Sequence, residues 1–349
     1  MFNLSDEAFR PKLSGCINRY LAISEKYSLT IGLYKKGKEY IYTNEKDPYS
    51  LRYDIGSISK TITAHLILSL AEEGYLDIND SVSRYIDLPK GNYPSLYQLL
   101  THTAGYGNLT PAEITVPALL SHGYARKNIY DGCSSARVIG CLAKRKNTVA
   151  KGYGYSDFAY AILAVVAERV MGRPFSELLN EFVHGRLGMK NTVICLDPKA
   201  RLPLAAEKNR TYDFWHWSES NPYIAGGGLV SNIEDMMHYL ALEITSKENF
   251  IKNAQVLCEK SLSQSSNIAT CIGWHTYKKS NQLWHVGGVG TFRSSVIFNR
   301  KRGIAVAVLG NAKGVASANV HYLAKMLYSE MKINKIDFNK LKELNEAKE

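Results

Sequence analysis

Between Ile58 and Ala71 the chain is apolar almost all round, with Ile62, Ala64, Leu66, Ile67, Leu68 and Leu70 in one helical stretch. A helix without a polar stripe has no face to offer water, so it belongs in the middle of a domain with other elements packed around it. Glu72 and Glu73 return the chain to solvent, and Gly74 is a natural stop. At the head of this segment stand Ser57 and Lys60, three residues apart and therefore on one face of one turn. A hydroxyl beside an amine that can take its proton is the minimum for a serine nucleophile. Burial lowers the pKa of an ammonium and makes the amine a usable base. By itself Ser-x-x-Lys is common, and a helix start with a solvated lysine accounts for it equally well.

A chain of 349 residues with 45% hydrophobic side chains can build one large domain or two ordinary ones around a substantial core. Lys and Arg number 43 against 32 Asp and Glu, a net +11. These residues are spread along the chain, with only short clusters such as Lys144-Arg145-Lys146, which argues against a nucleic-acid partner and favours anionic surroundings. The N-terminus has no basic segment followed by an apolar one, and no apolar run reaches the ~20 residues that span a bilayer. Cys16, Cys133, Cys141, Cys195, Cys258 and Cys271 are scattered without a CxxC pair. Reduced thiols and a cytoplasmic location are expected, with no disulfide framework. No histidine has metal-site spacing, so neither a metal nor another cofactor is expected.

Phe9, Leu13, Ile17 and Leu21 recur at helical spacing and predict an N-terminal helix over residues 6–26. Two strands follow, Ser28 to Tyr34 and Glu39 to Thr43, joined by a glycine-containing loop that signals a hairpin. The middle of the chain reads as helix and loop: Leu96 to Thr101, then Asp157 to Met171 stopped by Gly172, then Phe175 to Leu187 opened by Pro174. Residues 107–150 have no clear periodicity. Asn232 can cap a helix from Ile233 to Ile244, and Cys271 to Tyr277, Gln282 to Val286, Phe292 to Phe298 and Gly303 to Leu309 read as four strands. A helix over Ala316 to Met331 precedes a charged tail. The class is α+β: an antiparallel sheet flanked by helices, with strands from both ends of the chain, plus a mainly helical lobe. We expect residues 1–85 and 225–335 to form the sheet-bearing lobe carrying Ser57, residues 86–224 the helical lobe carrying Tyr155, and residues 336–349 the tail.

The motifs also fall in one order. Gly56-Ser57-Ile58-Ser59-Lys60, Glu73 to Val82, and Leu99-Leu100-Thr101-His102-Thr103-Ala104-Gly105 are followed by Tyr155-Ser156-Asp157. Gly172-Arg173-Pro174-Phe175, Leu187 to Thr192, Ala225 to Leu229 and Trp284-His285-Val286-Gly287-Gly288 complete the series. Together, over residues 28–330, they resemble the serine β-lactamase and penicillin-binding-protein superfamily, in the branch with class C β-lactamases, D-amino-acid-specific peptidases and related esterases. The resemblance implies Ser57 as acyl-accepting nucleophile and Lys60 as its proton partner. It implies Tyr155 in the Tyr-x-Asn position, sharing the acid–base work with its pKa lowered by Lys60. The backbone N–H groups of Ser57 and Gly288 would form the oxyanion hole, and Asp157, His285 and Gly287 would meet the substrate, Gly287 by letting it approach an edge strand.

Two features depart from the pattern. Asp157 stands where penicillin-recognising members have asparagine, and a carboxylate can pair with Lys60 but cannot donate as an amide does. His285-Val286-Gly287 replaces the usual Lys-Thr-Gly or His-Thr-Gly, removing both a permanent charge and a hydroxyl. The reading is a serine hydrolase acting through an acyl-enzyme on a small peptide or amide of D-residue type, or on a carboxylic ester. A weak β-lactamase or penicillin binder is the alternative, and a non-catalytic ligand-binding member a second. His102 is read as holding its loop. Trp215 and Trp217 are as well explained by core packing as by a substrate pocket.

Overall fold

The computed structural model describes residues 28–43, 45–108, 110–122, 127–147, 152–196, 215–258, 267–278, 280–311 and 315–332. The first hairpin pairs β1 (Leu29–Lys35) with β2 (Lys38–Thr43). Lys36 and Gly37 both turn with positive φ, 48° and 85°, as a two-residue loop needs to match the twist of its strands. The chain then makes β3 (Tyr53–Asp54), α1 (Ser59–Glu72), α2 (Leu96–Leu100), α3 (Ala112–His122), α4 (Ser135–Ala143), α5 (Asp157–Met171) and α6 (Phe175–Glu181). Next come β4 (Val193–Ile194), α7 (Ile224–Gly227), β5 (Leu229–Ser231), α8 (Ile233–Thr245), α9 (Asn249–Ala254), β6 (Ile268–Thr270) and β7 (His275–Tyr277). The closing run is β8 (Leu283–Val289), β9 (Phe292–Asn299), β10 (Ile304–Asn311) and α10 (Val315–Lys332).

Seven strands form one antiparallel sheet in the order β2-β1-β10-β9-β8-β7-β6. Leu29 pairs with Gly310, so the first and last strands of the described chain lie side by side within it. All eight residues of β10 are buried, which fits a strand covered on both faces. Val320, Leu323, Ala324 and Leu327 of α10 cover one face, packed on Ile31, Leu33, Val306 and Val308. The other face meets the main core, where Ile233, Met236 and Met237 of α8 join Phe298, Ala305, Ala307 and Leu309. In α1 every residue from Ser59 to Leu70 is buried, and in α5 every residue from Phe158 to Ala167, as their lack of a polar stripe requires. The fold is mixed helix and antiparallel sheet, as the motif order implies.

Several local expectations are revised. The predicted strand over Cys271 to Tyr277 is split: β6 and β7 flank a tight turn in which Cys271 N–H donates to Trp274 O at 2.7 Å and Gly273 takes φ 75°. The helix after Pro174 changes at Phe182 to a π turn through Arg186. The described part of residues 107–150 holds two helices. One, α3, carries Pro117 and leaves Leu120 exposed, so its pattern has no clean apolar face, while α4 is capped by Ser134. Trp215 and Trp217 are core residues. The predicted N-terminal helix and charged tail lie outside the described residues. No helix of the described residues is long and apolar enough to cross a membrane.

Candidate active site

Ser57 sits in a single 3-10 turn, Gly56–Ile58, that runs directly into α1. The turn is held from several sides. Asp54 Oδ1 accepts from Gly56 N–H at 3.0 Å, Ile55 N–H donates to Leu229 O at 3.1 Å, and Ser294 Oγ donates to Ile55 O at 2.8 Å. Gly56 has φ 51°, and a Cβ there would lie 2.6 Å from Gly288 N, so no other residue brings the two backbones this close. That approach brings the backbone at Ser57 beside that at Gly288, the pair expected to supply the oxyanion donors.

Lys60 follows one turn later and is fully buried. Its Nζ is 3.2 Å from Ser57 Oγ, 2.6 Å from Gly226 O and 2.5 Å from Asp157 Oδ1. The α7 segment clamps this part of α1, because Thr63 Oγ1 also donates to Ala225 O at 2.9 Å. Burial lowers the Lys60 pKa, and Asp157 opposes the fall without cancelling it. The physical cause is the one expected from the sequence: an ammonium loses hydration in the interior.

Tyr155 precedes the N-cap of α5, where Ser156 Oγ accepts from Ala159 N–H at 3.3 Å. Ser156 N–H donates to His102 Nδ1 at 3.2 Å, and the His102 ring packs 4.6 Å from that of Tyr155. His102, at φ 57°, therefore ties its own loop to the loop that carries Tyr155. Tyr155 is hydrogen-bonded to Ser57, and Lys60 Nζ lies 5.0 Å from its ring centroid.

The expected lowering of the Tyr155 pKa by Lys60 is not found. Burial first, then the charge of Asp157, raise it well above the ordinary phenol value, and only the bond to Ser57 acts the other way. The lysine charge is already matched by Asp157, so little of it is left to stabilise a phenolate. Asp157, expected to meet the substrate, has both oxygens engaged: Oδ1 by Lys60, Oδ2 by Tyr130 Oη at 2.7 Å.

A cavity of about 560 Å³ opens over Ser57 and Tyr155, bordered by His285, Gly287 and Gly288; the fully buried Lys60 sits behind Ser57. His285 is buried, with Nδ1 2.8 Å from Val286 O and its ring stacked on His275 at 4.9 Å. A Cβ on Gly287 would collide with Ile55 O and Ser294 Oγ. Gly287→Ala is therefore expected to displace the Ser57 turn and lower acylation of Ser57 at least ~100-fold, a loss in the range of one removed oxyanion donor. Stopped-flow acylation of the variant checks it, and wild-type rates would contradict the account. Sequence reading missed Tyr130, His275 and Arg293. Tyr130 lies in the aperiodic stretch, one of 23 tyrosines with no motif around it.

Several buried groups are held uncharged. Burial lowers His65 to about 3, and His275 and His321 to about 4. It raises Asp54 and Glu243 to about 8. His65 Nε2 and Glu243 Oε1 are 3.2 Å apart in the core without hydrogen-bond geometry, and these directions make them a neutral contact pair, not an ion pair. The signs work against each other with pH. The histidines bind protons in the unfolded chain first, so their contribution is complete above pH ~6.5 and lost as pH falls through their folded values. The acids ionise in the unfolded chain first, so stability is lost as pH rises from ~4 towards the folded values near 8. Unfolding by urea should give maximal stability at about pH 6, with losses on both sides. Glu243→Gln should flatten the alkaline side, and an unchanged alkaline slope would contradict the neutral pair.

A model of the Beta-lactamase family matches residues 26–328, nearly the whole chain, and the protein belongs to that family. Protein flp of Staphylococcus aureus strain MW2 is 21% identical over 297 residues, covering 79% of this chain and 55% of the relative. A Beta-lactamase of Providencia stuartii is 28% identical over 235 residues, covering 62% of this chain and 56% of the relative. The chain thus spans about half the length of these curated relatives. The structure of a D-stereospecific amidohydrolase from Streptomyces sp. has a similar fold, with TM-score 0.67 and 20% identity over 89% of this chain and 97% of that one.

Proposed function

We propose that the protein is a serine hydrolase that works through an acyl-enzyme on Ser57. The observation that carries this reading is the Lys60 amine, fully buried and 3.2 Å from Ser57 Oγ, with a cavity open over the serine. In its neutral form Lys60 takes the Ser57 proton as Oγ attacks the substrate carbonyl. The oxygen of the tetrahedral intermediate is received by the N–H groups of Ser57 and Gly288. Tyr155, kept as a neutral phenol, gives its proton to the leaving nitrogen or oxygen and is reprotonated from the Lys60 ammonium. Water then loses a proton to the same pair and attacks the acyl carbonyl. Ser57 Oγ leaves with a proton, restoring the resting state. Asp157 acts here as the fixed counter-charge of Lys60, with Tyr130 holding its other oxygen.

The substrate is a small peptide or amide of D-residue type, or a carboxylic ester. The shared fold with a D-stereospecific amidohydrolase supports the first. His285 and Val286, which supply neither permanent charge nor hydroxyl, argue against tight capture of a β-lactam carboxylate. The test is turnover of a short-chain nitrophenyl ester, a D-alanyl anilide and a cephalosporin by wild type and Ser57→Ala. Turnover of the ester or anilide, lost in the variant, is expected. Fastest turnover of the cephalosporin would favour the β-lactamase reading, and no turnover of any would leave a ligand-binding protein.

A further inference from the structure

The active-site cavity does not end at the catalytic face of the sheet. β7 pairs with β8 only at His275↔Trp284 and Thr276↔Leu283, so from His285 to Val289 the outer edge of β8 has no strand beside it among the described residues. Side chains alternate along that strand. His285 and Gly287 face the Ser57 side, where a Cβ on Gly287 would strike Ile55 O. Trp284 and Val286 face the other side and pack with the cluster that includes Val320 of α10. The same cavity is lined from both sets: Ser57 and His285 at one end, Trp284, Val286, Val320 and His321 at the other. It therefore wraps over the open edge of β8.

We infer that the far end of this cavity, under α10, is a subsite for an aromatic group carried by the substrate. This rests on Ser57 being the nucleophile. The chemistry of the walls selects the ligand. Trp284 and the neutral His321 ring lie 4.8 Å apart between centroids, and Val286 and Val320 complete an apolar lining. His321 is fixed by its Nδ1, 2.9 Å from Ser295 Oγ, and Ser295 is the cross-strand partner of Val286. Arg293 lies opposite Gly288 and lines the cavity, a cation at the side of a site that suits an aromatic face. Among the described residues no carboxylate lines the cavity, so a cationic group is disfavoured. A substrate backbone lying along β8 would send successive substituents to opposite faces, one towards Ser57 and the next over the edge into this subsite.

The test compares two fluorophosphonates that differ only in the chain on phosphorus, methyl or 3-phenylpropyl. The readout is the rate at which each adds to Ser57, measured by intact mass. In both, Oγ bonds to phosphorus, fluoride leaves, and the hydroxyl proton goes to Lys60. The phenylpropyl reagent is expected to react at least ~10-fold faster with wild type, the scale of burying one aromatic ring. His321→Trp fills the subsite and should bring the ratio near one. Val320→Ala removes part of the wall with little risk to the fold and should lower the ratio about threefold. Equal rates in wild type, or a ratio unchanged in both variants, would overturn the subsite while leaving Ser57 intact as nucleophile. Reaction with neither reagent would instead overturn the hydrolase reading on which it rests.

Discussion

Lys60→Met lowers the rate of Ser57 acylation by ~10²–10⁴, the usual contribution of a positioned proton acceptor, while the protein still folds. Methionine is unbranched and of similar length, so it can follow the buried path of the lysine side chain, whose Nζ lies over the Tyr155 and Tyr160 rings. The carboxylate left behind keeps its bond from Tyr130, and at 25% side-chain exposure it can draw on water, which limits the penalty for an unpaired charge. Lys60→Arg separates base from cation. A guanidinium retains the charge beside Asp157 but cannot give up its proton at working pH, so this variant should be as slow as the methionine one. Pre-steady-state acylation by a nitrophenyl ester measures both. Activity retained by Lys60→Arg would show that lysine acts only as a charge, and the proton route would have to run through Tyr155.

The second large effect concerns the carboxylate that stands where penicillin-recognising relatives have an amide. The charge of Asp157 opposes the effect of burial at Lys60 and is the second cause of the raised Tyr155 value. Removing its charge lets the Lys60 pKa fall further and relieves Tyr155 as well. Lys60 must be neutral to accept a proton, so acylation rises with pH as Lys60 loses its own. In Asp157→Asn that rise should come ~1–3 pH units lower than in wild type, the range expected for removing an adjacent opposite charge. The asparagine amide can still accept from Tyr130, so positioning is largely kept and the pH profile reports charge. An acid limb that stays where it is would mean that Lys60 is not the titrating base.

The long buried helices α1 and α5 were legible because burial on all sides leaves no wide polar stripe: α5 is apolar without a break from Phe158 to Ala167 and stops at a left-handed Gly172, φ 64°, while α1 carries its polar residues scattered among aliphatic ones. The strands β8 to β10 were legible from turn residues and β-branched content. Ser57, Lys60, Tyr155, His285 and Gly287 were singled out because motif order linked them. The structure gathers Ser57, Tyr155, His285 and Gly287 around one cavity and sets Lys60 just behind it. The two-residue strands β3 and β4 were invisible, being too short to show a period. The Tyr155 pKa was misjudged because the sequence put Lys60 beside it but gave no measure of how fully Asp157 would take up the lysine charge. Gly226 O and Tyr130 were missed for a related reason: a backbone carbonyl and a lone tyrosine become partners only when loops 166 and 27 residues away along the chain fold back on Lys60 and Asp157.

The most direct test of the account is intact mass after incubation with a fluorophosphonate, wild type beside Ser57→Ala and Lys60→Met. A single adduct on wild type, mapped to the peptide containing Ser57, absent from Ser57→Ala and formed far more slowly on Lys60→Met, is the predicted result. A well-folded wild type that forms no adduct, or one that forms equally on Ser57→Ala, would contradict an activated Ser57 and with it the acyl-enzyme mechanism.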